Sequence, residues 1–427
     1  ALKNSSTAYK IAVKGMSAIV GGSTVAPVEG TSYQLKTKYT FLTADGGIEG
    51  TFGMKAGDSF SDLLAINELD HDDQSAWLVL GVNEAAAGSD GEKDTLNALA
   101  DSDDPAAAAL LSQSGGAGKK ALAAAAENPA ADAAALTIRG DRVTRAVNSR
   151  AGWLNDLETL RPRQAHYWFK ADKDWSRYGS GTIKGSGFGF TLGVDWQTGK
   201  NWTVGLLGQY GRDSWNLGES SWNKHKVRDW RFGVYAVNRT GQNELSLHAA
   251  VGRQSHENDK SVMGLTSRSK YHSNTQELGL RFARDLTPGK TWHHKPFAQL
   301  QLTRYHQSAF DESGAPWSLH SDSVSKLYSA GTVGWGVERR MKDGKFGFSL
   351  GYKRVFSGDD PAVWTRVSGR DGGWKAGARK FDRNLFTASA QGEWVLGRSW
   401  SANFGLELEQ GRHDRNLSAK AAFCLSW

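Results

Sequence analysis

Phe188-Gly-Phe-Thr-Leu-Gly-Val-Asp-Trp196 is followed, across Thr198-Gly-Lys200, by Trp202-Thr-Val-Gly-Leu-Leu-Gly-Gln-Tyr210. Phe188, Phe190, Leu192, Val194 and Trp196, then Trp202, Val204, Leu206 and Tyr210, stand at every second position, with mostly small or polar residues between them. Neighbouring side chains of a strand point to opposite faces, so each stretch has one apolar and one polar face. The same period returns at Leu245, Leu247, Ala249 and Val251, at Phe346, Phe348, Leu350 and Tyr352, and at Trp400, Ala402, Phe404 and Leu406. The chain closes on it with Leu417, Ala419, Ala421, Phe423, Leu425 and Trp427. The pattern predicts an all-β region of twelve strands near 165–176, 186–196, 201–213, 226–239, 243–255, 272–285, 292–305, 326–340, 344–356, 380–395, 400–411 and 414–427.

The connections alternate too. Tight turns fall at Thr198-Gly-Lys200, Thr240-Gly-Gln242, Thr287-Pro-Gly289, Lys342-Asp-Gly344 and Gly397-Arg398, and polar loops near 177–185, 214–225, 256–271, 306–325 and 357–379 lie between them. An even strand count with short turns at one end and long loops at the other is the form of an antiparallel barrel of the outer membrane. Trp196, Trp202, Trp292, Trp394, Trp400 and Trp427 flank the short turns or the terminus, as an interfacial aromatic girdle does. A soluble sandwich explains the alternation but not this one-ended Trp placement.

Composition agrees. In 427 residues there are 50 Gly, 17 Trp and only 8 Pro, and no long apolar run marks a membrane helix. The single cysteine, Cys424, excludes a disulfide scaffold and a Cys-based zinc site. His293 and His294 point to opposite faces of a strand, so neither a metal nor any other cofactor is expected. The charge of +7 hides two unlike parts, because residues 165–427 hold 37 Lys+Arg against 24 Asp+Glu. A basic, Trp-rich segment can bind nucleic acid, but the alternation assigns these residues to a barrel and no nucleic-acid partner is expected. The chain begins at Ala1 without a signal peptide, which reads as a mature product or a fragment.

Upstream of the barrel, residues 1–83 read as short strands with Gly turns, such as Tyr33–Leu42 and Ser75–Leu80. Residues 84–132 read as an Ala/Gly-rich linker. Residues 133–164 carry a helix, placed at about 133–160 and capped by Asp132, on which Arg139, Arg142 and Arg145 recur every third residue. The barrel's inward positions hold Asp195, Glu244, Glu277, Glu393 and Glu407. A twelve-stranded lumen admits one helix, so the Arg stripe is expected inside it, with these acids as partners.

This order of segments resembles the C-terminal part of a type Va autotransporter. Three matches carry the resemblance. Tyr39-Thr-Phe-Leu-Thr-Ala-Asp-Gly-Gly-Ile-Glu-Gly-Thr-Phe52 resembles the closing rungs of a passenger β-helix, its autochaperone region. Leu192-Gly-Val-Asp195 resembles the signature of the second barrel strand. Ala421-Ala-Phe-Cys-Leu-Ser-Trp427 resembles the terminal strand read by the barrel assembly machinery, with Phe423, Leu425 and Trp427 as its signal. The resemblance implies a Gram-negative outer-membrane translocator, with lipid, the assembly machinery, periplasmic chaperones and its own passenger as partners. The passenger, in many members virulence-associated, reaches the cell surface. It also implies a candidate self-cleavage site in the pore helix, Asn148-Ser149, where a lumen acid such as Glu244, Glu277, Glu393 or Glu407 could hold the Asn amide.

The alternatives are a barrel enzyme of esterase or phospholipase type and a porin. Gly57-Asp-Ser-Phe-Ser-Asp62 is similar to an esterase nucleophile block, but Ser59 needs a base and His71 is the only histidine before the barrel. A porin has no need of residues 1–160. No Gly-x-x-x-x-Gly-Lys-Ser/Thr loop is present, so export is expected to run without nucleotide.

Overall fold

The computed structural model describes residues 10–28, 31–153, 165–217, 223–396 and 399–426. Twelve antiparallel strands close into a barrel: β1 (Ala165–Tyr178), β2 (Ile183–Thr198), β3 (Trp202–Asn216), β4 (Asn223–Thr240), β5 (Asn243–Val262), β6 (Leu265–Arg284), β7 (Trp292–Gln307), β8 (Val324–Met341), β9 (Gly344–Ser357), β10 (Asn384–Val395), β11 (Trp400–Gln410) and β12 (Arg415–Ser426). β12 closes on β1, running from Arg415 opposite Arg177 to Ser426 opposite His166. Closure leaves no open edge in the ring, which is what lipid demands of a backbone that water cannot reach.

The two-residue alternation sets which side chains meet lipid. Phe188, Leu192, Leu206, Phe232, Leu278, Phe348 and Leu406 are exposed on the outside, while His166, Asp195, Gln209, Arg231, Glu277 and Gln301 are buried within. The barrel is thus inverted relative to a soluble protein. Trp196, Trp202, Trp292, Trp394 and Trp400 are exposed beside the short turns, as the girdle requires. Trp427 lies outside the described residues.

One expected loop is absent. Residues 256–271 do not leave the sheet, because β5 and β6 continue for 20 residues each to a turn at Met263-Gly264. Both turn residues have positive φ, 48° and 82°, the geometry of a tight hairpin whose twist matches its strands. The polar residues read as loop form a ladder standing clear of lipid. The loops after β7 and β9 contribute a small sheet of their own, Phe310–Asp311, Leu319–Ser321, Ala362–Val367 and Trp374–Gly377, at the same end.

An N-terminal unit sits on that end. Ile11–Val13 runs parallel to Leu42–Ala44, and Ala18–Ile19 parallel to Ile48–Glu49, while Lys38–Ala44, Ser75–Val82 and Leu64–His71 pair antiparallel. Against this sheet pack three helices where a linker was expected: α1 (Asp90–Ala100), α2 (Pro105–Leu111) and α3 (Ala117–Ala126). Ser89 caps α1 by accepting from the Glu92 N–H, and Asp104 caps α2 ahead of Pro105. Leu96, Leu99, Leu110, Leu111 and Leu122 give the Ala-rich helices a buried face against Tyr33, Leu63, Leu64 and Leu78. Val262 of the β5 tip and Trp317 of the loop sheet join the same core, so the unit is packed onto the barrel rim.

The single pore helix is two: α4 (Ala130–Arg139) and α5 (Arg142–Trp153). It starts earlier than expected because the Asn128 side chain accepts from the Ala130 N–H at 2.9 Å. It breaks at Gly140, whose N–H turns back to the Thr137 carbonyl. Asp132 is not a cap. Its carboxylate lies in the first turn of α4 and takes the Arg379 N–H at 2.7 Å and the Arg379 Nη1 at 2.6 Å.

Candidate functional site

The barrel lumen is occupied in two layers. At the loop end α4 presents Ala130, Ala131, Ala134 and Ile138 to Tyr271, Tyr305, Tyr328 and Val355 of the barrel wall and Phe310 and Val363 of the loop sheet. Alanines give this helix a narrow waist, so the large rings close round it. The result is an apolar seal at the loop-end mouth.

Below it, α5 meets a polar wall. Arg142, on the first turn of α5, reaches three aspartates: Nε lies 3.1 Å from Asp172 Oδ2, Nη2 2.9 Å from Asp174 Oδ2, and Nη1 3.0 Å from Asp213 Oδ2. Arg145 pairs with Asp141 and Asp174, both at 2.9 Å, and bonds Ser418. One turn and a half further on, Arg150 meets Asp195 in a two-pronged pair, Nε to Oδ2 at 2.6 Å and Nη2 to Oδ1 at 2.8 Å. Asp195 also accepts from Tyr235 Oη at 2.6 Å and lies 2.9 Å from His166 Nδ1. Thr144 Oγ donates to Glu277 at 2.7 Å, and Glu277 binds Arg231 at 2.8 Å.

The last described turn of α5 is gripped by cations. Lys345 Nζ donates to the Gly152 carbonyl at 2.6 Å and Arg239 donates to the Ala151 carbonyl. Residues 154–164, which hold the rest of the expected helix, lie outside the described residues. Buried ion pairs add little net stability, because desolvation offsets attraction, yet losing one partner of a pair costs about 3–5 kcal/mol. The arginines therefore fix the depth and rotation of α5 more than they stabilise the barrel.

This corrects the expected partners of the stripe. Glu244 pairs with Arg281 at 3.0 Å, Glu393 with Lys345 at 3.5 Å and Glu407 with Lys420 at 2.7 Å, all within the barrel wall. Glu277 does touch α5, through Thr144 rather than an arginine. Among the described residues Asp195 is the one of the five that pairs with an arginine of α5, and that arginine is Arg150. Arg139, separated from the others by the break at Gly140, sits 3.6 Å from Asp414. The acids that matter, Asp172 and Asp174, lie two apart on the inward face of β1. That spacing is legible in sequence once the inward face is known.

Asn148 faces a cavity of about 730 Å³ beside α5, shared with Gln299, Glu244, Arg281 and Lys420. Its Nδ2 donates to Gln299 Oε1 at 2.7 Å, a neutral amide and not one of the expected acids. Ser149 is buried on the same turn. Cys424 faces the lumen, 3.4 Å from Arg150 Nη1. Phe423 is exposed and Leu425 half-buried. In the N-terminal unit Ser59 Oγ accepts from Asn83 Nδ2, whereas His71 is held by backbone carbonyls elsewhere, so no Ser–His pair forms. Among the described residues no cluster of His, Cys, Asp and Glu could hold a metal ion.

Comparison with known proteins agrees with this architecture. The family described as "Autotransporter beta-domain" matches residues 167–407, more than half of the chain. An extracellular serine protease of Serratia marcescens is 26% identical over 222 residues, covering 46% of this chain and 21% of the relative. The chain thus spans about a fifth of that relative's length. The translocator domain of autotransporter NalP from Neisseria meningitidis superposes with a TM-score of 0.58 at 16% identity, covering 70% of this chain and 98% of that one, and this likeness shows the fold. The β-domain of the Bordetella autotransporter BrkA is also similar, with a TM-score of 0.45 at 16% identity, over 61% of this chain and 98% of that one. The chain belongs to the autotransporter family, and its barrel is an outer-membrane translocator domain.

Proposed function

We propose that the barrel delivers the chain's own N-terminal passenger to the cell surface and is then closed by α4 and α5. One observation carries this reading. β1 begins at the short-turn end, where Ala165 pairs with Trp196, while α5 and α4 lead through the lumen to a folded unit at the loop end. The described chain makes a single pass through the pore, as exported chain must. A porin reading has no place for a helix tied by Arg142, Arg145 and Arg150. The test is bilayer conductance of the whole chain beside a protein lacking residues 1–164. The whole chain is expected to be nearly closed and the shortened one to conduct; equal, large conductances overturn the reading.

The partners follow the same proposal. The terminal strand, through Phe423, Leu425 and Trp427, is the signal for the barrel assembly machinery, and periplasmic chaperones hold the unfolded chain beforehand. Deleting Trp427 is expected to reduce outer-membrane levels while leaving refolding in detergent nearly unchanged. Normal membrane levels of the shortened protein overturn the sorting role.

As to self-cleavage, we propose that the chain stays intact at 148–149. Gln299, which binds the Asn148 amide, has no charge with which to draw off its proton. Mass spectrometry of the outer-membrane protein is expected to find no new N-terminus at Ser149. Such an end, lost in Asn148→Ala, reverses this reading.

A further inference from the structure

The outer surface of the barrel carries a compact group of cations just above its lipid-facing band. On β4 the outward residues run Val234, Phe232, Trp230, then Arg228, Lys226 and Lys224, all exposed. Apolar surface thus gives way abruptly to three successive positive side chains on the loop-end side of Trp230. Arg228 stands directly opposite Arg212 of β3, also outward and exposed. Arg253 of β5 is opposite Trp230, one diagonal step from Arg228. Two acids stand among them: Glu257, opposite Lys226 and 3.6 Å from Arg228, and Asp259, opposite Lys224 and 3.4 Å from Arg268, so the uncompensated charge lies on the Arg212–Arg253 side. Among the described residues Arg212, Lys226 and Arg253 have no ion-pair partner.

Like charges set opposite one another on a sheet are unfavourable by themselves. Arg212 facing Arg228 is therefore arranged for an anion. Guanidinium groups recognise phosphate through paired hydrogen bonds. The ligand's place is fixed by what lies beneath, since Tyr210, Trp230 and Phe232 on the same face are where acyl chains run.

We propose that Arg212, Lys226, Arg228 and Arg253 form a binding site for a phosphorylated glycolipid of the outward-facing leaflet, headgroup phosphates on the cations and acyl chains along Trp230 and Phe232. The site rests on the loop end facing outward, but binding is read on folded protein in detergent and so stands or falls apart from export. The whole chain is titrated with a bisphosphorylated lipid A, with the same lipid after phosphatase treatment, and with inorganic pyrophosphate, using native mass spectrometry. The triple variant Arg212→Gln/Arg228→Gln/Arg253→Gln is expected to bind lipid A about a hundredfold more weakly, as three cations near a headgroup imply. The corresponding triple Lys variant, which keeps the charge but loses the paired hydrogen bonds, is expected to bind between wild type and the Gln variant. Heat-modifiable gel mobility reports that each protein is folded. Equal binding by wild type and the Gln variant, or undiminished binding of the dephosphorylated lipid, overturns the site. Full competition by pyrophosphate at equal phosphate concentration overturns its assignment to a lipid.

Discussion

Arg150 and Asp195 form a two-pronged ion pair in which both side chains are almost wholly withdrawn from solvent, at 1% and 0% exposure. It joins the last full turn of α5 to β2, and Tyr235 and His166 complete the carboxylate's shell. Removing either charge leaves the other withdrawn from water and without its ion-pair partner. Asp195→Ala is therefore expected to cost about 3–5 kcal/mol of helix anchoring. The check is conductance, which should rise towards that of a protein lacking residues 1–164 while heat-modifiable mobility persists. A variant as closed as wild type removes the anchoring role.

Cys424 supplies an independent probe of the same contact. Its side chain is 1% exposed and faces Arg150. In the whole chain a polar maleimide is expected to label it at least tenfold more slowly than in the folded barrel without residues 1–164. Equal rates show that α5 does not cover this wall.

Trp317 joins the rim to the N-terminal unit. It is 1% exposed among Tyr33, Leu63 and Leu111. Trp317→Ala removes a large buried ring, worth about 3–5 kcal/mol. Limited proteolysis is expected to cut residues 10–126 faster in this variant while the barrel fragment survives. An unchanged digestion pattern counts against the docking.

His71 makes the N-terminal unit sensitive to pH. Its Nδ1 lies 3.0 Å from the Asp72 carbonyl and its Nε2 2.8 Å from the Gly50 carbonyl, and only the protonated ring donates to both. These two carbonyls raise its pKa. A raised folded-state value gives stability that is complete below the unfolded value of about 6.5 and is lost as pH climbs through the folded one. The unit is thus expected to resist denaturant slightly better at pH 5.5 than at pH 8.5. The ring is only half-buried and screened by solvent, so the difference is small, and His71→Gln should abolish it. A difference that persists in the variant assigns it to another group.

Most of the membrane-facing architecture was legible, because lipid outside and a polar lumen inside enforce the alternation seen at Phe188–Trp196. The signal fails where that contrast ends. Above the lipid band Glu257 and Lys270 sit opposite each other in a paired ladder, yet both faces there are polar, so the stretch read as loop. Residues 84–132 misled for another reason. Ala runs broken by Gly resemble a linker, and only Ser89, Asp104-Pro105 and the spaced leucines signal packed helices. Within the lumen the presence of a helix was readable, and its partners only in part: Asp195 and Glu277 touch α5, while Glu244, Glu393 and Glu407 pair within the barrel wall. Periodicity tells that Asp172, Asp174, Asp213 and Glu407 all face inward, while their height relative to Arg142 depends on the tilt of the strands.

The seam between β1 and β12 gives the plugged pore the character of a threaded bead. A cord passes through a ring with no open edge, and at the loop end it carries a knot. The unit from Tyr33 to Leu122, with its sheet and three helices, is far wider than a lumen filled by one helix. At its other end the cord is the ring itself, since the chain continues into β1. Neither part can leave the other without unfolding, so the two are interlocked mechanically as well as bonded. Weakening Arg150 can loosen the bead but cannot unthread it.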